Sequence, residues 1–366
     1  MPASVHSQNM DSRALERVRK VFDQQIDAGL HPGAALAVYW HGRLALDLQA
    51  GQANAKTDRP VQPDTMFVLY SATKPLAAIC LHILWERGRL QWDDPVACHW
   101  PGFARNGKAG VTIRHILTHC GGFPETPEEL TWDKWQDWEA IARALEEVAP
   151  IYEPGKVIAY HPRNFGWVIA ELVRRIDGRT IDQFLREEVT GPLGMHDTYL
   201  GLPADLEDRV SRLHAMDDCD RPGMVHNYNR PQVHQAVQPS GGGIATARDL
   251  ARFYAMLAAG GSLEGKRVLR PETVAEVTRL QVEGPDQTLE YYVRRGLGLS
   301  LEDPRTGGNG SVTVRTFGHA GAGTSIGWAD PELGLAVAYI TNGFRASRTN
   351  TPRLAVISQA VRDACR

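Results

Sequence analysis

The stretch Phe67-Val-Leu-Tyr-Ser-Ala-Thr-Lys-Pro-Leu-Ala-Ala-Ile-Cys-Leu-His-Ile-Leu-Trp85 constrains the fold more than any other, because a short β-type run gives way at Ser71 to a helix-type run. Leu76, Ile79, Cys80, Ile83 and Leu84 recur at three- and four-residue spacing, so one helix face is apolar and has to be buried. Pro75 lacks an N–H and fits only a first helical turn, which fixes the helix start close upstream and places Ser71 at its N-terminus. The residue before a proline is pushed away from α geometry, so Lys74 is under opposing demands. Lys74 follows Ser71 by three positions and shares its face. A serine beside a lysine that burial deprotonates is one of the few ways to make an alcohol nucleophilic at neutral pH. The plain alternative is a capped helix with an ordinary solvated lysine. Against it, Ser71-Ala-Thr-Lys74 is the only Ser-x-x-Lys in the chain, and it sits where backbone N–H groups and a helix dipole favour an oxyanion.

At 366 residues, 43% hydrophobic and 23% charged, the chain has the composition of a soluble globular protein with room for two lobes. A net charge of −3 offers no polycation for nucleic acid, and no apolar run reaches the length of a membrane span. Residues Met1–Met10 lack a basic start followed by an apolar core, so the expected location is the cytoplasm. The five cysteines are odd in number and form no Cys-x-x-Cys, which suits free thiols.

Residues 12–29 read as a helix with Leu15, Val18, Phe22 and Ile26 on one face. Residues 34–40 and 43–49 read as a hairpin turning at His41-Gly42. From Asp93 to about Leu200 the signals are mostly helical, with Thr112 capping 113–117, a capping box at Thr180-Ile-Asp-Gln183 and a helix from Phe165 to Ile176. Strand signals return at 312–317, 324–329 and 335–341, the last two joined by the turn 330–334, which implies antiparallel pairing. The economical architecture is an α/β lobe built from residues 12–70 and 201–366, with 71–200 inserted as a mostly helical lobe.

Other motifs carry less. Gly323-Thr-Ser-Ile-Gly327 matches a nucleophile elbow centred on Ser325, yet a strand follows it instead of a helix and no histidine lies downstream. Gly260–Lys266 resembles a phosphate loop but lacks the Ser/Thr and the preceding strand, and reads as a turn. His214, Asp217, Asp218, Asp220 and His226 fit no ordered metal template and read as a solvated loop. Trp132, Trp135 and Trp138 form a stripe at helical spacing, either core packing or the apolar wall of an acyl pocket.

Three features in one order resemble the class C β-lactamase-like serine hydrolases, a family that also holds esterases and penicillin-binding peptidases. Ser71-Ala-Thr-Lys74 looks like the first motif, Tyr160-His161-Pro162 like the second (Tyr-x-Asn), and His319-Ala-Gly321 like a His-x-Gly variant of the third. Val111–Pro124 and Pro239–Leu250 are also similar to family text, and the likeness runs from about residue 12 to the end. The resemblance implies an antiparallel sheet flanked by helices, with Ser71 as the nucleophile that forms an acyl-enzyme. Lys74 and Tyr160 share the role of base, through a neutral lysine or an ionised tyrosine. It implies an oxyanion site at the N–H groups of Ser71 and Ala322, beside His319 and Gly321, and needs no metal or cofactor. Two departures bear on the substrate. Pro162 stands where an asparagine amide contacts a β-lactam side chain, with Asn164 as a weak substitute. His319 replaces the lysine that holds a substrate carboxylate, and histidine is mostly neutral at pH 7. Both point to a carboxylesterase acting on a small-molecule ester, with β-lactam or amide hydrolysis or acyl transfer through the same acyl-enzyme as alternatives. A non-catalytic binding protein on the same fold is the third. The pocket walls are expected from Glu125–Trp138 and Val282–Tyr292.

Overall fold

The structure is a computed structural model and describes residues 10–307 and 315–365. Its centre is a nine-stranded antiparallel sheet. Three strands come from the N-terminal part: β1 (Gly33–Trp40), β2 (Arg43–Asn54) and the short β3 (Arg59–Pro60). Six come from the C-terminal part: β4 (Val282–Asp286), β5 (Tyr291–Arg295), β6 (Ser300–Leu301), β7 (Phe317–Gly321), β8 (Ser325–Asp330) and β9 (Leu335–Thr341). Their spatial order is β4-β5-β6-β7-β8-β9-β1-β2-β3, so β1 and β9, distant in sequence, join the two parts of the sheet with Leu36 opposite Tyr339 and Val38 opposite Val337.

The β1–β2 hairpin turns at His41-Gly42, both with positive φ (47° and 75°), the handedness that a two-residue turn between right-twisted strands requires. The strand expected over 312–317 is present only as β7 from Phe317; residues 312–314 lie outside the described residues. The other two strands begin and end within one residue of expectation, and the turn at 330–334 pairs them antiparallel.

Helices cover both faces of the sheet. On one, α1 (Ser12–Asp27) is capped by the Asp11 side chain and buries Val18 and Phe22 against Leu36, Val337 and Trp328 together with Ile357 and Val361 of the last helix. The opposite face carries a larger core shared by α2 (Lys74–Glu86), α3 (Trp138–Glu147), α4 (Asn164–Asp177), α5 (Ile181–Leu185) and α6 (Ala247–Ala258). The last helix, α7 (Ser347–Asp363), lies beside α1. α2 is buried from Lys74 to Leu84 on every side, so its apolar stripe understates its burial. The Thr180 capping box is present, with Gln183 accepting from the Thr180 N–H. Near this region, Phe67–Val68 and Thr198–Leu200 flank Gly243–Ala245 in a small three-stranded sheet.

The tryptophans depart from the helical stripe. Trp132 belongs to a separate 3-10 turn, Trp135 follows it, and Trp138 opens α3. Asp137 explains the break, because its side chain caps α3 by accepting from the Ala140 N–H. Trp135 is a core residue against Trp167 and Tyr228, whereas Trp132 and Trp138 are half-buried. Gly260–Arg267 forms a turn and a two-residue hairpin. Asp218 in the acidic loop pairs with Arg345, and His226 with Arg230. All five cysteines are free, and among the described residues no helix is long and apolar enough to cross a membrane.

Candidate active site

Ser71 lies in a single 3-10 turn, Tyr70–Thr73, from which α2 continues at Lys74. Tyr70 has φ of 47°, a left-handed conformation that costs a non-glycine residue about 1–2 kcal/mol. Its ring is held against Tyr228 and Phe344, at 4.7 and 5.6 Å between centroids. This bend turns the chain from strand to helix and leaves Ser71 half-buried between fully buried neighbours. Lys74 adopts α geometry (φ −55°, ψ −42°) despite Pro75, so its helical hydrogen bonding outweighs the proline's preference.

Lys74 is fully buried and, among the described residues, forms no ion pair. Its Nζ donates to the carbonyl oxygens of Pro162 (2.9 Å) and Ser240 (3.1 Å) and reaches Ser71 Oγ at 3.4 Å. The Tyr160 ring centroid is 4.6 Å away. Burial first, then the Arg295 and Arg163 guanidinium groups, hold the lysine pKa well below its ordinary value.

Tyr160 lies outside regular secondary structure, and side chains position its backbone. The Tyr160 N–H donates to Asp286 Oδ1 (3.0 Å), the His161 N–H to His119 Nδ1 (3.1 Å), and the Phe123 N–H to His161 Nε2 (3.2 Å). Asp286 is in turn bound by Arg295 at 2.8 Å, a fully buried pair whose guanidinium lies 5.5 Å from the Tyr160 ring. The Tyr160 hydroxyl is buried and, among the described residues, has no hydrogen-bond partner; the nearby Ser71 hydroxyl eases its ionisation only in part. Burial dominates and pushes the phenol's pKa up.

His319, on β7, places Nδ1 2.8 Å from the Ala320 carbonyl; an oxygen there only accepts, so Nδ1 carries the proton. Nε2 is buried without a hydrogen-bond partner among the described residues, and the ring lies 6.1 Å from that of Tyr160. Burial and then the Lys74 charge lower its pKa to about 3, so His319 is neutral at pH 7. Gly321 ends β7 against the turn before Ser71: a Cβ there would sit 2.1 Å from the Leu69 oxygen and 2.2 Å from Ser325 Oγ. Ala322 follows one residue past that contact and is half-buried.

The structure therefore brings Ser71, Lys74, Tyr160, His319 and Gly321 together, and Ala322 is the next residue after Gly321. Ser325 is not an exposed elbow: it is buried in β8, and its hydroxyl donates to the Leu69 oxygen at 2.7 Å. Asn164 does not stand in for the missing amide, because its side-chain N–H groups are spent on the Phe123 and Glu125 carbonyls. Of the expected walls, 125–138 lines a cavity beside the site, while 282–292 is the β4–β5 hairpin that braces Tyr160 through Asp286.

Sequence reasoning did not identify the two carbonyls that hold Lys74, the Arg295–Asp286 pair or Gln238. Gln238 Oε1 accepts from the N–H groups of Ser240, Gly241 and Gly242 and so shapes the loop that carries the Ser240 carbonyl. The run Gly241–Gly243 was the available signal: a Cβ on Gly243 would meet Thr73 Oγ1 at 2.6 Å. Nothing local to Arg295 distinguishes it from the other arginines.

A β-lactamase family profile matches residues 18–361. The chain is 33% identical to the esterase/β-lactamase LipL of Mycobacterium tuberculosis over 344 residues, covering 85% of this chain and 77% of that protein. Its fold superimposes on a penicillin-binding protein homologue from Caulobacter crescentus (TM-score 0.88, 33% identity, 98% and 99% of the two chains). A family VIII carboxylesterase matches with TM-score 0.88, 29% identity and the same coverage. The chain belongs to the β-lactamase family and is a serine hydrolase of that family.

Proposed function

We propose that this protein is a carboxylesterase that hydrolyses small acyl esters through an acyl-enzyme at Ser71. The observation that carries the reading is Lys74: buried and placed 3.4 Å from Ser71 Oγ, with two carbonyls as its other acceptors. A neutral amine has two hydrogens and one lone pair. With the hydrogens on the Pro162 and Ser240 carbonyls, the lone pair faces the serine hydroxyl. Lys74 then takes the proton as Oγ attacks the ester carbonyl. Tyr160, whose phenol burial keeps protonated, donates to the departing alkoxide and is restored through Lys74. The N–H groups of Ser71 and Ala322 receive the oxyanion. Water repeats the attack on the acyl-enzyme and releases the acid.

Ester substrates are favoured over penicillins by the neutrality of His319 and by Pro162, which supplies no side-chain amide. The likeness to a family VIII carboxylesterase supports the same choice. Ser71-dependent turnover of short-chain 4-nitrophenyl esters, with a fluorophosphonate mass shift on the Ser71 peptide, is the expected result. Equal turnover by Ser71→Ala overturns it. β-Lactam hydrolysis through the same acyl-enzyme is the second reading, favoured by the 33% identity to a protein named both esterase and β-lactamase. Comparison of kcat/KM for a chromogenic cephalosporin and for an ester decides between the two.

A further inference from the structure

A cavity of about 370 Å³ has walls that include Leu130, Trp132, Trp135, Met224 and Tyr228. Tyr228 packs on Tyr70, the residue before Ser71, so one side chain separates this cavity from the turn that carries the nucleophile. Arg163 enters it from the N-terminus of α4. Its backbone is locked to the catalytic frame: the Arg163 carbonyl accepts from Ser240 Oγ at 2.7 Å, and the preceding Pro162 carbonyl holds Lys74.

The guanidinium of Arg163 is half-buried and lies 5.2 Å from the Trp135 ring; among the described residues its one hydrogen bond is a long one, 3.4 Å, to Thr126 Oγ1. Among the described residues no carboxylate is in ion-pair range. Glu128 also lines the cavity but is exposed and unpaired with it. Elsewhere in this protein the buried or nearly buried arginines are held by several partners: Arg295 has Asp286, Arg305 has Asp303 and Arg362 has Asp330, while Arg353 is held by Asn350, His31 and the Gly323 carbonyl. A second guanidinium, Arg230, lies 3.8 Å from the Trp132 ring on the same wall. A planar cation stacked on an indole, with its donor edge unpaired, is a preformed receptor for a carboxylate. The third motif holds no such charge here, because His319 is neutral.

We propose that Arg163 binds a carboxylate on the substrate, so that the preferred esters carry a free acid on the arm that enters this cavity. The anion-recognising charge thus stands on the α4 wall instead of on β7. This inference rests on the ester reading above.

The test uses two matched pairs: 4-nitrophenyl butyrate against mono-4-nitrophenyl glutarate, with the acid on the acyl arm, and methyl 4-acetoxybenzoate against 4-acetoxybenzoate, with the acid on the alcohol arm. In one pair the charged-to-neutral ratio of kcat/KM is expected to fall about tenfold or more in Arg163→Gln, mainly through KM, and to recover in part in Arg163→Lys. Using the ratio cancels any effect of Arg163 on Lys74, which acts on both members alike. Thermal melting checks that each variant is folded. Ratios that Arg163→Gln leaves unchanged in both pairs, while neutral esters are still turned over through Ser71, overturn this inference and spare the ester reading. Absence of Ser71-dependent turnover of any ester overturns both.

Discussion

Lys74 Nζ lies 3.1 Å from the carbonyl oxygen of Ser240, a residue 166 positions away, and closer to it than to the Ser71 hydroxyl at 3.4 Å. A fully buried lysine is usually paired with a carboxylate. Here two peptide dipoles take that place, and dipoles stabilise an ammonium less than an anion does. This setting favours the neutral amine, in keeping with its lowered pKa.

Lys74→Met fills much the same volume and cannot accept a proton. We expect ester kcat/KM to fall about a thousandfold or more while the melting temperature is maintained or raised, because a buried polar group is removed. In the native protein kcat/KM should rise with pH as Lys74 deprotonates and level off well below the ordinary lysine range, following its lowered pKa. An acid limb centred near pH 10.5 contradicts this.

Ser325 and Gly321 separate structural from catalytic serine. Ser325→Ala loses one buried hydrogen bond, to Leu69, and should cost about 1 kcal/mol while Ser71 is still labelled by a fluorophosphonate. Gly321→Ala forces a Cβ against the Leu69 oxygen and Ser325 Oγ and should cost about 1–3 kcal/mol. Part of that clash vanishes when Ser325 is also alanine, so urea unfolding of the double variant should show less than the summed loss.

Asp286 holds Tyr160 through one oxygen and Arg295 through the other. Asp286→Asn retains an acceptor for the Tyr160 N–H but leaves Arg295 as an unpaired buried cation. Breaking such a pair costs about 3–5 kcal/mol. Chemical denaturation measures the loss. Below the unfolding transition kcat should fall more than KM rises, because Tyr160 is displaced from Ser71.

Several histidines are kept neutral by burial: His319 and His161 are lowered to about 3 and His82 to about 4. In the unfolded chain they bind protons as pH falls through about 6.5, and in the fold they do not. Their contribution is thus intact at neutral pH and is lost progressively from about 6.5 down to about 3. Asp249, pushed up to about 6 by burial, works in the opposite sense and returns stability as pH falls from 6 towards 4. Histidines outnumber it, so the melting temperature should drop between pH 7.5 and 5; a constant or rising value contradicts this.

Local chemistry was legible in the chain itself. The Ser71-x-x-Lys74 spacing, Pro75 in the first turn, the alternation and turn of the 34–49 hairpin and the cap at Thr180 all act within a few residues, so the sequence carries them directly. What the polypeptide could not state locally was which atoms from remote segments would meet. Sequence left the base open between amine and phenol; the structure adds that both are buried, and the same low-polarity interior that lowers the Lys74 pKa raises that of Tyr160, which supports the amine in the proposed mechanism. Sequence also read the tryptophans as one helical stripe, and the Asp137 cap divides them between a turn and a helix. The Pro162 and Ser240 carbonyls and the Asp286–Arg295 brace behind Tyr160 exist only because sheet pairing and the helical segment bring separate loops together. Backbone carbonyls are the same in every residue type, and long-range ion pairs leave no local pattern, so their roles are set by three-dimensional position alone.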